Sequence, residues 1–136
     1  MLSVLVVEND YLLADELDRV LTERGFHVVG PAPTLETAQR LLADNRIDVA
    51  CLDVRLSGEE SSVPLAQSLA ALGIPFVFLT GYPVAYLPLA MRYRPKLEKP
   101  VDLDLLVERL RALTLVLTAA QPPAPVRDIP YGRYRT

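Results

Sequence analysis

The sequence contains a single cysteine and a single histidine, so side chains that commonly build disulfides and metal sites are nearly absent. Cys51 has no partner for an internal disulfide, and nothing in the sequence therefore points to an oxidising compartment. Cys51 falls inside a short apolar run, which we interpret as the setting of a small buried hydrophobe. His27 has no second histidine with which to hold a metal ion, so a histidine-based metal centre is not expected.

Long apolar runs and a strong charge of one sign are lacking as well. No segment approaches the roughly 18 apolar residues of a membrane span, and acidic residues between Glu8 and Glu16 interrupt any signal-peptide pattern. A formal net charge of −3 gives no electrostatic reason for nucleic acid to be the main partner. We therefore expect a cytoplasmic protein that binds neither membrane nor nucleic acid.

The chain is long enough for one domain, because 136 residues with 51% hydrophobic content can bury a core of their own. We assign residues 1–120 to this domain. Residues 121–136 are rich in proline, and we expect them to form an extended or flexible tail. Two readings of the tail stay open, a plain terminus and a docking segment.

Short apolar runs alternate with segments in which apolar residues recur at helical spacing. The runs predict strands at 2–7, 27–30, 47–53, 74–81 and 96–99. Helices are predicted between them and after the fifth strand, with Asn9 or Asp10 capping the first, Thr34 opening the second and Asp102 capping the last. This alternation predicts an α/β fold, a doubly wound five-stranded parallel sheet with right-handed crossovers.

The segment between the fourth and fifth strands breaks the pattern. Pro83, Pro88 and Pro95 interrupt it, and proline cannot sit inside a regular helix without breaking a hydrogen bond. The fourth helix of the fold is therefore predicted to be reduced or irregular.

Polar residues stand at the ends of four of the five predicted strands: Glu8 and Asn9, Asp53, Thr80 and Lys99. The carboxyl ends of parallel strands meet at one edge of the sheet, where ligands bind. Carboxylates gathered there repel one another unless a cation joins them, and Mg²⁺ prefers such oxygen ligands. Asp53 could then attack a phosphoryl group, with the metal and Lys99 neutralising the transferred charge and Thr80 hydrogen-bonding one oxygen.

With these four sites in order, residues 1–118 resemble the receiver domain of two-component response regulators. The matching motifs are Val6-Val7-Glu8-Asn9-Asp10, Leu52-Asp53-Val54, Phe78-Leu79-Thr80-Gly81-Tyr82 and Lys99-Pro100. The third motif looks like that of a Phe-x-Thr-Gly-Tyr subgroup, common in alphaproteobacteria and often stand-alone. The resemblance implies a flavodoxin-like receiver fold.

The resemblance also implies roles for individual residues. Asp53 would be the phosphoacceptor, Thr80 the switch hydroxyl and Lys99 the phosphate-pairing cation. The peptide bond before Pro100 would be cis, which aims the Lys99 side chain into the site.

A Mg²⁺ site is implied by the same family pattern. Its ligands would be Glu8, Asn9, Asp53 and the backbone carbonyl of Arg55. The family normally has a second acid, the direct metal ligand, where this chain has Asn9. Asparagine keeps an oxygen but loses a charge, so Mg²⁺ binding and phosphoryl transfer are expected to be weakened.

The implied function is that of a single-domain response regulator. It would accept a phosphoryl group on Asp53 from a sensor histidine kinase or a phosphotransfer protein and signal to a downstream protein through residues 82–97 and the last helix. It would not be an enzyme, apart from catalysing its own phosphorylation and dephosphorylation. An apolar excess at 113–120 favours a homodimer through the last helix.

Two departures favour an alternative, a phosphorylation-independent pseudo-receiver that acts as a docking or scaffold module. One is Asn9, and the other is Lys96, which stands where the family has an aromatic side chain that relays the switch. A phosphohydrolase with an aspartyl nucleophile would have a second Asp in place of Arg55. A nucleotide-binding fold would need a glycine-rich loop after the first strand, and none is present.

Overall fold

A computed structural model describes the backbone of residues 1–81 and 87–119 and the side chains of these ranges up to residue 115. Strands and helices alternate along the chain. In order they are β1 (Ser3–Val7), α1 (Tyr11–Glu23), β2 (His27–Ala32), α2 (Leu35–Asp44), β3 (Val49–Asp53), α3 (Val63–Leu72), β4 (Phe76–Thr80), β5 (Lys96–Glu98) and α4 (Leu103–Ala119). A 3₁₀ turn, Leu89–Met91, lies between β4 and β5.

All five strands are parallel, in the order β2-β1-β3-β4-β5. β3 and β4 are buried along their whole length, as expected for central strands with helices on both faces. Helices α2 and α3 pack on one face of the sheet, and α1 and α4 pack on the other. The predicted α/β fold with a doubly wound five-stranded parallel sheet is confirmed.

Side-chain caps fix where three helices begin. The Asp10 carboxylate accepts hydrogen bonds from the N–H groups of Leu12 and Leu13, which decides between the two candidate caps for α1. Thr34 caps α2, and the carboxylate of Asp102 caps α4 by accepting from the N–H of Leu105 at 3.1 Å. Asp10 therefore caps α1.

β2 is longer than predicted: it continues past Gly30 to Ala32. The prediction of an end at Gly30 was wrong because the strand bulges there, and its pairing with β1 shifts register between Leu5 and Val7. Gly30 has φ +104°, and a Cβ on it would lie 2.8 Å from the carbonyl oxygen of Val6. Only glycine fits this position without strain.

The described part of the segment between β4 and β5 contains the 3₁₀ turn and no α-helix, in agreement with a reduced fourth helix. Leu87 and Met91 anchor it in the core that covers the α2–α3 face. The Lys96 ammonium donates hydrogen bonds to the carbonyls of Arg92 and Arg94. Residues 82–86, part of the predicted signalling surface, lie outside the described residues.

The last helix begins at the predicted place and runs to Ala119. Its buried face includes Leu106, Val107 and Leu110, and Leu115 is exposed. The tail at 121–136 lies outside the described residues, as do the side chains of most of the 113–120 segment. No helix within 1–81 or 87–119 is long and apolar enough to cross a membrane.

Candidate functional site

Three of the predicted site residues meet at the carboxyl edge of the sheet. The Lys99 ammonium lies 3.1 Å from Oε1 of Glu8 and 3.3 Å from Oδ1 of Asp53. Asp53 ends β3 in the middle of the sheet, with its side chain 7% exposed. One cation therefore joins two buried carboxylates, as the crowding of acids at this edge requires.

Glu8 lies behind Lys99, and its side chain is fully buried. Its Oε2 accepts hydrogen bonds from the backbone N–H of Asp10 at 2.9 Å and from Lys99 at 3.2 Å. Its backbone N–H bonds to the carbonyl of Ala32, the residue that the β2 bulge brings alongside. Glu8 thus balances the charge of Lys99 within the protein, and its role as a metal ligand remains a prediction.

Thr80 and Lys99 are joined through the backbone. Thr80 ends β4, is buried, and accepts the N–H of Lys99 on its carbonyl oxygen at 2.8 Å. The peptide bond between Lys99 and Pro100 is cis, as predicted. The strand ends thus hold Thr80, Lys99 and Asp53 at one edge.

Arg55 is held by a small hairpin that follows β3. Arg55 pairs with Ser61 in an antiparallel bridge, flanked by hydrogen bonds from Ser62 N–H to the Val54 carbonyl at 3.0 Å and from Leu56 N–H to the Glu60 carbonyl at 2.8 Å. The position of Arg55 at the site is therefore set by tertiary pairing within the loop.

A second contact ties this hairpin to the rest of the fold. Oε1 of Glu60 accepts the N–H of Leu35 at 3.1 Å, at the start of α2. A carboxylate is favourable at the N terminus of a helix, where N–H groups lack partners. The loop that carries Arg55 is thus fastened to α2 as well as to β3.

A pocket of about 410 Å³ opens at this edge. The described residues that line it are Asn9, Asp53, Arg55, Leu56, Gly58, Gly81 and Lys99. Among them Asp53 is the one carboxylate, and Arg55 and Lys99 are both cationic. The pocket therefore offers a nucleophilic acid surrounded by positive charge and an amide, a setting that suits an anionic group.

The electrostatics of the cluster shift two pKa values. Burial raises the pKa of Asp53 to about 7, and Glu8 adds to this effect through hydrogen bonding and repulsion, while Lys99 opposes it. Burial disfavours the charged form of Lys99, but the Asp53 and Glu8 carboxylates outweigh burial and raise its pKa. Lys99 thus stays charged between the two acids.

The donors in the pocket fit a Mg²⁺ ion in kind. Asp53, Asn9 and Arg55 line one pocket, and these residues carry a carboxylate, an amide oxygen and a backbone carbonyl, all of which are oxygen donors of the kind that Mg²⁺ prefers. Yet no cluster of three His, Cys, Asp or Glu side chains suited to a metal ion occurs within the described residues. The ion would meet one carboxylate and two cationic side chains, so the site fits Mg²⁺ weakly.

Sequence reasoning missed two features of this site. It gave Arg55 a backbone carbonyl for the metal and did not assign the positive charge of Arg55 to the pocket that this residue lines. It also treated Lys96 as misplaced for burial, but Lys96 is only half-buried and its ammonium bonds to two carbonyls. The positive charge of both residues was visible in the sequence, but their partners come from folding.

Comparisons with known proteins agree on the class. The chain is 38% identical to SdrG from Sphingomonas melonis Fr1, over 85% of this chain and 97% of that one, with a TM-score of 0.72. A second SdrG structure, from Pseudomonas melonis Fr1, shows its BeF3-activated conformation; the identity is 39% over 82% and 95% of the two chains, and the TM-score is 0.68. The non-phosphorylated receiver domain of HemR from Leptospira biflexa is 25% identical, over 90% of this chain and 98% of that one, with a TM-score of 0.72.

Among curated proteins, the sensory transduction protein LytT of Bacillus anthracis is 34% identical over 85 residues, which is 60% of this chain. The chain spans about a third of the length of the curated relatives that it matches. No protein-family model matches the sequence.

The parallel sheet, the acid at the end of its central strand and the lysine beside it define a receiver domain. The chain belongs to the receiver-domain family of two-component response regulators, and the predicted resemblance is confirmed. Receiver domains generally bind Mg²⁺ and interact with kinases or phosphotransfer proteins.

Proposed function

We propose that this protein is a response regulator that accepts a phosphoryl group on Asp53. The observation that carries the proposal is the placement of the Asp53 carboxylate in an open pocket, 3.3 Å from the Lys99 ammonium. SdrG, which is 39% identical to this chain, has a BeF3-activated conformation, and this supports a protein that switches between two states.

The chemistry follows from these positions. An oxygen of Asp53 attacks the phosphorus of a phosphohistidine, and the P–N bond breaks with its electron pair left on the imidazole, which takes a proton from solvent. Lys99 offsets the negative charge that arrives on Asp53, and Thr80 hydrogen-bonds one phosphoryl oxygen. A bound Mg²⁺, held by Asn9, Asp53 and the Arg55 carbonyl, would add positive charge at the phosphoryl oxygens.

The donor would be a sensor histidine kinase or a phosphotransfer protein, and the output a contact with a downstream protein. The protein is a signalling switch in the cytoplasm, and its only catalysis is on its own Asp53. The exposed side chains of Leu89 and Tyr93, near β5, belong to the surface through which we propose that it signals.

A phosphoryl-transfer experiment tests this proposal. The protein is incubated with acetyl phosphate and Mg²⁺, and its intact mass is measured for the wild type, Asp53→Ala and the exposed-site control Asp15→Ala. We expect one phosphoryl adduct on the wild type and on the control, and none on Asp53→Ala. An adduct that survives Asp53→Ala, or no adduct on the wild type, contradicts the proposal.

The second candidate is the phosphorylation-independent docking module, and Asn9 is the observation that favours it. Asn9 lines the pocket as a neutral amide, where the family has an acid. If Asn9→Asp forms an adduct in the same assay and the wild type does not, the other residues of the site can still support phosphorylation, but the wild type is not phosphorylated. That result supports the docking module.

We also propose a homodimer through α4. Leu115 on this helix is 69% exposed, and it belongs to the apolar excess at 113–120 that favours a partner for this helix. Sedimentation should show a dimer for the wild type and a monomer for Leu115→Glu. Arg109→Glu, at an exposed position of the same helix, is the control for a general effect of added negative charge. A monomer at all concentrations contradicts the dimer.

A further inference from the structure

One of the two cationic residues that line the pocket has no role for its charge in the mechanism above. Arg55 lines the pocket beside Asp53 and Asn9. Its side chain is half-buried, and the backbone bridge to Ser61 holds it in place. This arginine is thus part of a fixed wall of the pocket rather than of a solvent-exposed loop.

Lys99 alone cannot neutralise a phosphoryl group here. Its ammonium lies between two carboxylates, 3.1 Å from Glu8 and 3.3 Å from Asp53, so its charge is already shared. A phosphoryl group carries nearly two negative charges at neutral pH. The pocket therefore needs further positive charge when the group arrives.

Two features of this chain supply that charge without a metal. Asn9 removes the negative charge that an acid at this position would add, and Arg55 contributes a positive charge at the same pocket. Compared with an acid in place of Asn9 and a neutral residue in place of Arg55, these two residues make the charge of the pocket more positive by two units. This difference equals the charge of one divalent cation. An arginine fork also matches phosphoryl oxygens in geometry and stays charged at any physiological pH.

We propose that the Arg55 guanidinium binds the phosphoryl group in this pocket and takes over much of the charge neutralisation that Mg²⁺ gives in related domains. The proposal rests on the proposed function, since it assigns Arg55 to the phosphoryl transfer at Asp53. The bonds made and broken are the same, P–O formed to Asp53 and the bond to the donor's leaving group broken. Phosphorylation is therefore only weakly dependent on Mg²⁺, and the site has low affinity for divalent cations.

The test compares phosphorylation by acetyl phosphate in Mg²⁺ and in EDTA, followed by intact mass over time. The variants are Arg55→Gln, which removes the charge, Arg55→Lys, which keeps it, and Arg109→Gln, a matched control on the exposed side of α4. The wild-type rate should fall by about 10-fold or less in EDTA. Loss of a charge-assisted hydrogen bond should lower the metal-free rate of Arg55→Gln by a further factor of about 10 to 100, with most of it retained in Arg55→Lys.

A second readout measures metal binding without phosphorylation. Mn²⁺ is titrated into each protein, and free Mn²⁺ is followed by electron paramagnetic resonance. Arg55→Gln removes a repelling charge and Asn9→Asp adds an attracting one, so both should bind Mn²⁺ more tightly than the wild type, each by about 10-fold. Arg55→Lys and Arg109→Gln should bind like the wild type.

Three results would overturn the proposal. One is a wild-type adduct that disappears in EDTA while Arg55→Gln behaves like the wild type. Another is an equal loss in Arg55→Gln and Arg55→Lys under both conditions, which would assign Arg55 to loop structure. The third is equal Mn²⁺ affinity in all variants. Failure of the proposed function looks different, because no protein then forms an adduct even in Mg²⁺, and the Mn²⁺ titration alone decides whether Arg55 sets the charge of the pocket.

Discussion

Oε1 of Glu8 lies 3.1 Å from the Nζ atom of Lys99, although 91 residues separate the two in sequence. The glutamate side chain is fully buried, so its charge is neutralised by this lysine rather than by water. Lys99 in turn reaches Asp53 on the other side. The free energy of unfolding of the domain should therefore depend on the charge of Asp53, the proposed phosphoacceptor.

Replacing Lys99 with methionine should test that connection. The change leaves Glu8 and Asp53 without their cation, and we expect the free energy of unfolding to fall by about 3 kcal/mol above neutral pH, measured by urea denaturation. The loss should shrink in acid, where Asp53 takes up a proton. In a Glu8→Gln background the same substitution should cost clearly less, and an equal cost in both backgrounds would show that the cluster does not act as a unit.

The raised pKa of Asp53 predicts a pH dependence of stability. The folded carboxyl has a pKa of about 7 against an ordinary 3.8, so the folded state binds this proton more tightly than the unfolded state. The stability from this proton is present below pH about 4 and is lost as the pH rises through about 7. Asp53→Asn should therefore raise the free energy of unfolding by about 2 kcal/mol above pH about 7, after allowance for solvent screening, and change little in acid.

The control for this experiment is Asp15→Asn, at an exposed position of α1. It makes the same chemical change away from the cluster. Its difference from the wild type should be small at every pH. A flat difference for Asp53→Asn would contradict the raised pKa.

The bulge in β2 predicts an unusually sensitive glycine. Gly30→Ala places a Cβ 2.8 Å from the Val6 carbonyl oxygen and 2.9 Å from the Ala32 nitrogen, at φ +104°. We expect a loss of about 3 kcal/mol in thermal or chemical unfolding. Gly25→Ala has a similar φ of +93° but open space, and should lose only about 1 kcal/mol. Equal losses would show that the close approach at Gly30 has no effect.

We expect the Lys96 ammonium to stabilise the segment before β5. Its two hydrogen bonds to the carbonyls of Arg92 and Arg94 are charge-assisted. Lys96→Met should therefore destabilise the domain by about 2 kcal/mol and speed hydrogen exchange of amides near the 3₁₀ turn. Glu98→Gln, at an exposed position of the same strand, is the control. Unchanged exchange after Lys96→Met would mean that these bonds do not hold the segment.

Much of the site could be predicted because its residues stand at strand ends. Asp53 follows a run of apolar residues too short for a helix, and Thr80 and Lys99 end two later runs. Parallel strands bring such ends to one edge whatever the details of the loops. The order of polar residues in the sequence was therefore enough to place Asp53, Thr80 and Lys99 together.

Other features could not be predicted, because they depend on contacts between distant segments. The length of β2 depends on the close approach of Gly30 to β1. The choice of Asp10 as the helix cap depends on which carboxylate reaches the free N–H groups. The sequence pattern allows a short or a long β2, and it allows Asn9 or Asp10 as the cap of α1. Only the packing of the folded chain decides between them.

The sequence by itself determined the alternation of strands and helices, the parallel sheet and the edge at which its acids, hydroxyl and lysine gather, because apolar periodicity and strand direction are local properties. Only the tertiary structure decided that Glu8 faces Lys99 and not the pocket, and that Arg55 lines the pocket beside Asn9. Burial and the pairing of charges across the fold set these positions, and they depend on residues that are far apart in the chain.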